Sequence, residues 1–176
     1  MSNRGHITLV TGGARSGKSD LAERLALRHG GAMIYIATAE ARDAEMAQRI
    51  ARHQQRRGPR WQLIEEPRDL AGALAQSDGQ GVRLVDCLTM WLANTQGAAD
   101  FSALTATLRQ QYCPVVLVTN ELGQGIVPAD PATRRFRDDH GWMNQAVAQA
   151  AHEVWLTVAG QGLRVKPRKD DPDAPV

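Results

Sequence analysis

Eight residues near the start of the chain have the types and spacing of a phosphate-binding loop. The stretch Gly12-Gly13-Ala14-Arg15-Ser16-Gly17-Lys18-Ser19 fits the pattern G-x-x-x-x-G-K-S/T and follows the apolar run Ile7–Val10. Glycines let the backbone bend so that consecutive N–H groups point at phosphate oxygens, and the following helix adds its positive amino end. Lys18 would contact the β- and γ-phosphates, and Ser19 would offer a hydroxyl to Mg²⁺. The stretch therefore predicts a nucleoside triphosphate site.

A carboxylate ends a second apolar run, Leu84-Val85-Asp86. Nucleotide-binding proteins often supply an acidic group to Mg²⁺ from this position, beside the loop serine. An aspartate at the end of a strand can instead cap the next element. Ser19 and Asp86 are the candidate metal ligands, and Mg²⁺ is the expected cofactor.

A basic segment lies between residues 49 and 60. Arg49, Arg52 and Arg56 recur at helical spacing, and His53 lies among them. Such an arginine stripe can hold phosphates. An imidazole with an ordinary pKa of about 6.5 is largely neutral at pH 7, so its nitrogen can attack phosphorus without first losing a proton. A phosphohistidine type of intermediate is chemically feasible here.

Two other interpretations of this segment remain open. Met46, Ile50 and His53 share one helical face, so the histidine can simply flank the core. The arginines can also form a nucleic-acid patch, although no aromatic residue is interleaved with them.

Polar residues also follow the apolar run Val115–Val118, where an α/β sheet usually builds its ligand crevice. Asn120 and Glu121 begin this loop, which contains two glycines; they can alternatively be turn-forming residues. Farther along, the charge run 134–139 is typical of a solvated helix face with Phe136 turned inward.

The fold that positions these residues is predicted from the alternation of strand-like and helix-like segments along the chain. Strands are predicted at 7–10, 33–37, 82–85, 114–119 and 154–158, with an edge strand at 163–166. Helices are predicted at 19–29, 41–57, 67–76, 101–110 and 131–151. This alternation predicts an α/β fold with a mainly parallel central sheet and helices on both faces.

Size and composition limit the choice of protein class. With 176 residues, we expect one nucleotide-binding domain over residues 1–166 and a disordered tail over 167–176. The formal net charge of +2, from 21 basic and 19 acidic side chains, gives no global field that favours nucleic acid or an anionic membrane. Without a signal peptide or a long apolar run, we expect a soluble cytoplasmic protein. Cys87 and Cys113 are expected to be buried, reduced thiols.

Six stretches, in order from about residue 6 to 166, resemble one known family. They are Thr11–Ser19, Tyr35-Ile36-Ala37-Thr38-Ala39, Arg49-Ile50-x-x-His53, Thr119–Pro128, Phe136-Arg137-Asp138 and Glu153-Val154-Trp155-Leu156. Together they resemble the bifunctional adenosylcobinamide kinase / adenosylcobinamide-phosphate guanylyltransferase of cobalamin biosynthesis. Generic phosphate-loop kinases share only the first stretch.

The resemblance implies a RecA-like P-loop NTPase fold, a homotrimer and two successive reactions. ATP or GTP first phosphorylates the aminopropanol hydroxyl of adenosylcobinamide. GTP then transfers GMP to a histidine with release of pyrophosphate, and the substrate phosphate takes the GMP to form adenosylcobinamide-GDP. The implied partners are these small molecules, with no nucleic acid and no membrane insertion.

The resemblance also assigns residues. The guanylylated histidine falls on His53, and Lys18 assists both transfers. Phosphates lie along residues 12–19, and the remaining nucleotide contacts are Thr38, Ala39, Glu40, Gln54, Gln55, Arg56, Arg57, Glu65 and Asp86.

Two differences from the family limit how far its properties can be transferred to this chain. The stretch between Asn94 and Val115 is shorter than is usual in the family, and residues 167–176 have no clear family counterpart. An alternative function is a simple P-loop small-molecule kinase in which His53 is structural. Another is a RecA-like ATPase stimulated by nucleic acid, whose binding would weaken steeply with salt.

Overall fold

The computed structural model describes residues 4–41 and 60–167, which form seven strands and five helices. The strands are β1 (Ile7–Gly12), β2 (Met33–Ala37), β3 (Trp61–Glu65), β4 (Val82–Asp86), β5 (Val115–Val118), β6 (Glu153–Val158) and β7 (Gln161–Lys166). The helices are α1 (Lys18–Leu27), α2 (Leu70–Gln76), α3 (Leu88–Thr95), α4 (Phe101–Gln110) and α5 (Pro131–Ala150).

All seven strands belong to one sheet, in the order β3-β2-β4-β5-β1-β6-β7. Every neighbouring pair is parallel except β6 and β7, which form an antiparallel hairpin. The predicted α/β class with a mainly parallel central sheet is confirmed. In this order β5 separates β1, which leads into the phosphate-binding loop, from β4, which ends at Asp86. The segment that follows β5 therefore emerges between the two predicted parts of the nucleotide site.

Helices cover both faces of the sheet because alternate strand residues point to opposite sides. Ile7 and Leu9 of β1 belong to a cluster that α2, α3, α4 and α5 cover. Val10 belongs to the cluster on the other face, where α1 contributes Leu21 and Leu25. The strands buried on both faces read as nearly continuous apolar runs, as expected for a parallel sheet.

Three of the helices begin at an aspartate whose carboxylate accepts a backbone N–H. Asp69 accepts from Gly72 N at 2.9 Å, Asp100 from Ala103 N at 2.9 Å, and Asp130 from Thr133 N at 2.7 Å. These caps satisfy donors that the first turn leaves without a partner. Helix α1 differs, because it follows Gly17 and has no side-chain cap. Its first N–H groups are those expected to face a phosphate.

The predicted and observed elements agree closely in the buried parts of the described chain. The strand at 33–37 and the helix at 101–110 match to the residue, and the predicted edge strand is β7. Two elements were not predicted, the edge strand β3 and the helix α3. The helix predicted at 67–76 begins only at Leu70. The helix predicted at 41–57 lies almost wholly outside the described residues, as does nearly all of the predicted tail.

A buried ion pair lies at the amino ends of the strands, on the edge opposite Asp86. Arg83 of β4 is fully buried, and its Nη2 lies 2.9 Å from Asp78 Oδ1. The same guanidinium donates to Gly81 O and to Gln111 Oε1. Asp78 also accepts the N–H groups of Tyr112 and Cys113, and these bonds help to hold the pKa of its carboxyl below 3.8 although burial opposes them.

Both cysteines are free thiols. Cys87 is buried as predicted, whereas Cys113 is only partly buried. Over the two described ranges, no helix is long and apolar enough to cross a membrane.

Candidate active site

The carboxyl ends of four parallel strands meet at one edge of the sheet. In the strand register Glu65 pairs with Ala37, Ala37 pairs with Asp86, and Asp86 pairs with Val118. Adjacent strands lie about 4.8 Å apart. The predicted nucleotide residues at the ends of β2, β3 and β4 are thus brought into one row beside the phosphate-binding loop.

The loop fits closely against β6, and this contact explains the first glycine of the motif. A Cβ on Gly12 would lie 2.5 Å from the Thr157 carbonyl oxygen and 2.6 Å from Ser16 Oγ. Gly17 has a φ of 92°, in the left-handed region that favours glycine. The glycines therefore serve the loop's own geometry, besides any approach to a ligand.

The β6–β7 turn supports the loop from the outside. Gly160 N donates to the carbonyl oxygen of Ser16 at 2.9 Å. A Cβ on Gly17 would lie 3.2 Å from Gly160 Cα, so the two backbones pass close to each other. This contact was not predicted, because the turn is far from the motif in sequence.

Lys18 and Ser19 begin α1 and are partly buried. Lys18 Nζ donates to Gly13 O at 3.1 Å, so the ammonium lies over the loop. Gly13, Ala14 and Arg15 are exposed on the loop's outer side.

The Lys18 and Asp86 charges both act on the same buried thiol. Burial raises the pKa of Cys87 to about 11, the neighbouring Asp86 carboxylate adds to this rise, and the Lys18 ammonium opposes it. Asp86 is itself partly buried. The raised pKa keeps the Cys87 thiol protonated at neutral pH.

Thr38 joins the ends of β2 and β4. Its Oγ1 donates to Cys87 O at 2.7 Å and accepts from Cys87 N at 2.8 Å, and Asn94 Nδ2 donates to Thr38 O at 2.7 Å. The hydroxyl of this predicted nucleotide contact is thus already engaged within the protein.

The next predicted nucleotide contacts are Ala39 and Glu40, which follow Thr38, and Glu65 of β3. Ala39 and Glu40 are partly buried, and Glu40 Oε1 lies 3.7 Å from Arg68 Nη2. Glu65 is exposed at the end of β3. Arg68 was missed by sequence reasoning, since a single arginine before a short helix has no distinguishing pattern.

The loop after β5 is held by two arginines of α5. Arg137 donates to Gly123 O at 2.5 Å and to Ile126 O at 3.2 Å. Arg134 donates to Pro128 O at 2.8 Å and to Ala129 O at 2.7 Å. The expectation of a simply solvated face was wrong for these two arginines, because the unpaired carbonyls of the loop attract them. Phe136 does pack against the core, as expected.

The remaining predicted site residues lie outside the described residues. These are His53, Gln54, Gln55, Arg56 and Arg57, together with Arg49 and Arg52 of the basic stripe. Their roles stay predictions.

Comparisons with known proteins show what the chain is similar to. The sequence profile of the CobU family, described as "Cobinamide kinase / cobinamide phosphate guanyltransferase", matches residues 8–165. The chain is 45% identical over 166 residues to the "Bifunctional adenosylcobalamin biosynthesis protein CobP" of Pseudomonas aeruginosa, a match that covers 90% of this chain and 96% of the relative. It is 40% identical over 179 residues to the CobU protein of the same description from Escherichia coli, covering 90% and 98%. Among solved structures, the RadB recombinase is similar over 87% of this chain and 74% of that chain, with 16% identity and a TM-score of 0.46.

Proposed function

The chain belongs to the cobinamide kinase / cobinamide phosphate guanyltransferase family, and we propose that it carries out both transfers on adenosylcobinamide. The observation that carries the proposal is the row of strand ends beside the phosphate-binding loop, in which Asp86 ends β4 and Lys18 begins the helix that follows the loop. A triphosphate bound to the loop would have its chain directed along this row. The proposed substrates are adenosylcobinamide, ATP and GTP.

In the first step, the aminopropanol hydroxyl attacks the γ-phosphorus of ATP or GTP, and the nucleoside diphosphate leaves. Phosphoryl transfer depends chiefly on positioning and on stabilising the charge that develops on the transferred group. Lys18 and the backbone N–H groups at the start of α1 supply positive charge where the loop would hold the phosphates. Residues 12–19 therefore position and neutralise the donor.

In the second step, a nitrogen of His53 attacks the α-phosphorus of GTP and pyrophosphate leaves. A phosphate oxygen of the substrate then attacks the same phosphorus and displaces the imidazole, which gives adenosylcobinamide-GDP. An imidazole is a suitable carrier because it is nucleophilic when neutral and leaves readily once protonated. Thr38, Ala39, Glu40, Gln54, Gln55, Arg56, Arg57 and Glu65 are the proposed contacts to the rest of the nucleotide.

Mg²⁺ is the proposed cofactor, with Ser19 and Asp86 as its protein ligands. Within residues 4–41 and 60–167, no three His, Cys, Asp or Glu side chains gather into a metal site. Mg²⁺ does not require such a cluster, because it commonly takes one or two protein oxygens together with phosphates and water. A hydroxyl and a carboxylate are suitable oxygen donors. When bound, the ion would help neutralise charge on the transferred phosphate.

We further propose a homotrimer in the cytoplasm. Ile126, Val127 and Leu163 are large apolar side chains that are exposed in the single chain, and exposed apolar groups are often covered in assemblies. The two free thiols are compatible with a reducing compartment. Light scattering of the purified protein tests the assembly, and a monomer at micromolar concentration would contradict it.

The decisive experiment is mass spectrometry after incubation with GTP, with the modified residue located by peptide mapping. GTP labelled at the α-phosphate should leave GMP on His53, and the same nucleotide labelled at the γ-phosphate should not label the protein. His53→Ala should abolish the label and leave measurable kinase activity, whereas Lys18→Ala should impair both reactions. Full labelling of His53→Ala would exclude the assigned nucleophile. No label on the wild-type chain would support a simple kinase instead.

A further inference from the structure

A buried polar cluster lies behind the candidate site and is not used by the proposed chemistry. It contains Thr89 of α3, Thr119 after β5, and His140 and Asn144 of α5. His140 is only 1% exposed, and Thr119 is fully buried. Burying polar groups is costly unless their hydrogen bonds are made. Because the residues of the cluster come from α3, the segment after β5 and α5, their hydrogen bonds can fix these three parts of the chain relative to one another.

The hydrogen bonds of the cluster converge on the backbone of Asn120. The Asn120 N–H donates to Thr89 Oγ1 at 3.0 Å, and Asn144 Nδ2 donates to Asn120 O at 3.1 Å. Thr119 Oγ1 donates to Asn144 Oδ1 at 2.8 Å, which fixes the amide of that side chain. Both backbone polar groups of Asn120 are thus held by side chains.

His140 completes this network through Thr89. The Thr89 hydroxyl accepts the Asn120 N–H, so its own proton is available for His140 Nε2, which lies 2.9 Å away. A neutral imidazole with its proton on Nδ1 accepts this hydrogen bond at Nε2. The imidazole therefore orients the hydroxyl that holds Asn120.

The residue that follows connects the network to the phosphate-binding loop. Glu121 N donates to the carbonyl oxygen of Gly12 at 3.1 Å. Since β5 lies between β4 and β1, this segment stands between Asp86 and the loop. A shift of Asn120 would move Glu121 and change the hydrogen bond to Gly12.

We propose that His140 is a positioning residue for nucleotide binding, acting through Thr89 to hold the Asn120–Glu121 segment against Gly12. The inference rests on the proposed function, because it assumes that the loop binds GTP. It concerns a residue that does not itself touch the nucleotide.

The test compares paired variants that remove or keep the hydrogen-bonding group at His140 and at Thr89. His140→Leu fills a similar volume but removes the acceptor, whereas His140→Gln keeps a polar group near the position of Nε2. Thr89→Val removes the hydroxyl with little change of shape, and Thr89→Ser keeps it. Loss of the buried hydrogen bonds made by the removed group is expected to weaken GTP binding about tenfold or more in His140→Leu and Thr89→Val. His140→Gln and Thr89→Ser should stay within about threefold of the wild-type affinity.

The measurements are the GTP dissociation constant by calorimetry and the KM and kcat of guanylyl transfer. The KM for GTP should rise with the dissociation constant, with a smaller change in kcat. Asp78→Ala is the control for destabilisation alone, because it breaks the ion pair at the opposite edge of the sheet. It should lower the melting temperature and leave GTP affinity unchanged. Gln145→Ala, exposed on the same helix as His140, should change neither quantity.

Unchanged GTP affinity in both His140→Leu and Thr89→Val would overturn the proposal. So would equal losses in Thr89→Val and Thr89→Ser, because the hydroxyl would then not be the cause. If His140→Leu does not fold, the Thr89 pair decides. A wild-type chain that binds GTP but transfers neither group contradicts the proposed function, and the binding comparison still tests His140.

Discussion

Gly12 has no room for a side chain, whereas its neighbour Gly13 does. A Cβ on Gly12 would lie 2.5 Å from the Thr157 backbone oxygen, and a Cβ on Gly13 would meet nothing within 4 Å. The motif pattern alone treats the first glycine as a requirement of the phosphate. In this chain it is also a requirement of the contact between β1 and β6.

Gly12→Ala is therefore expected to lower the free energy of unfolding by about 1–3 kcal/mol, because the Thr157 carbonyl must move. Urea unfolding measures this loss. Gly13→Ala should unfold at the wild-type urea concentration. Equal midpoints for the two variants would show that the close contact with β6 is not important for stability.

A substitution in the β6–β7 turn is expected to raise the stability of the protein rather than lower it. Ala159 and Gly160 connect β6 to β7 with φ values of 49° and 79°. Two left-handed residues in a two-residue hairpin favour Asn-Gly, because alanine pays a steric penalty there that asparagine largely avoids.

Ala159→Asn is expected to stabilise the protein by about 0.5–1 kcal/mol. Thermal unfolding checks this, with Gly160→Ala as the matched variant that should destabilise. A lower melting temperature for Ala159→Asn would argue against strain at this turn.

At the scale of elements, the ion pair between Arg83 and Asp78 makes one edge of β4 sensitive to mutation. Removing one partner of a buried pair leaves the other charge uncompensated, which costs about 3–5 kcal/mol. Asp78 is slightly exposed, so the lower end of this range applies.

Asp78→Ala should therefore lower the free energy of unfolding by about 3 kcal/mol. Adding Arg83→Met should recover most of the loss, because no buried charge then remains at that position. Chemical denaturation of the two variants is the measurement. A double variant no more stable than Asp78→Ala would contradict this explanation.

Sequence reasoning succeeded for elements that are buried in a regular pattern. Strand β2 is apolar at every position and helix α4 alternates at helical spacing, so both were predicted with their observed bounds. Helix α3 was missed because it is buried on several sides, at Leu88, Trp91 and Asn94 among others, and shows no polar face. Strand β3 was missed because it is a largely exposed edge strand without strict alternation.

The candidate site divides in a similar way. Local motifs placed the glycine loop after β1 and Asp86 at the end of β4, where the structure has them, since each is contiguous with its strand; their roles toward a nucleotide stay predictions. Contacts that depend on folding were not predictable, and these include Gly160 against Ser16 and Arg137 against Gly123. Nothing in one sequence indicates which distant carbonyl an arginine will bind.

At the scale of the whole molecule, three histidines among the described residues are expected to make stability depend on pH. Burial lowers the pKa of His29, His140 and His152 below 6.5, and nearby charge from Glu153 and Glu121 only partly offsets this for the first two. Between the lowered folded value and about 6.5, the unfolded chain binds protons that the folded chain does not. The free energy of unfolding should therefore fall as the pH drops below about 6.5.

Urea unfolding at several values between about pH 7.5 and about pH 5 measures this slope. His140→Gln should give a shallower slope, because one of the three groups is gone. Asp78 and Asp130 do not contribute in this window, since the pKa of each carboxyl is held below 3.8. Stability that is constant or rises on acidification would contradict the assignment.

Helix α1 begins at the phosphate-binding loop and buries Leu21, Ala22, Leu25 and Ala26 in the core of the domain. Because the loop and the core share this helix, binding of an anion at the loop is coupled to the stability of the folded protein. A nucleotide at one hundred times its dissociation constant would add about 2.7 kcal/mol to the stability of the folded state. Melting curves recorded with different triphosphates would then rank the phosphate donors by the melting temperature of each complex. This ranking needs no corrinoid substrate.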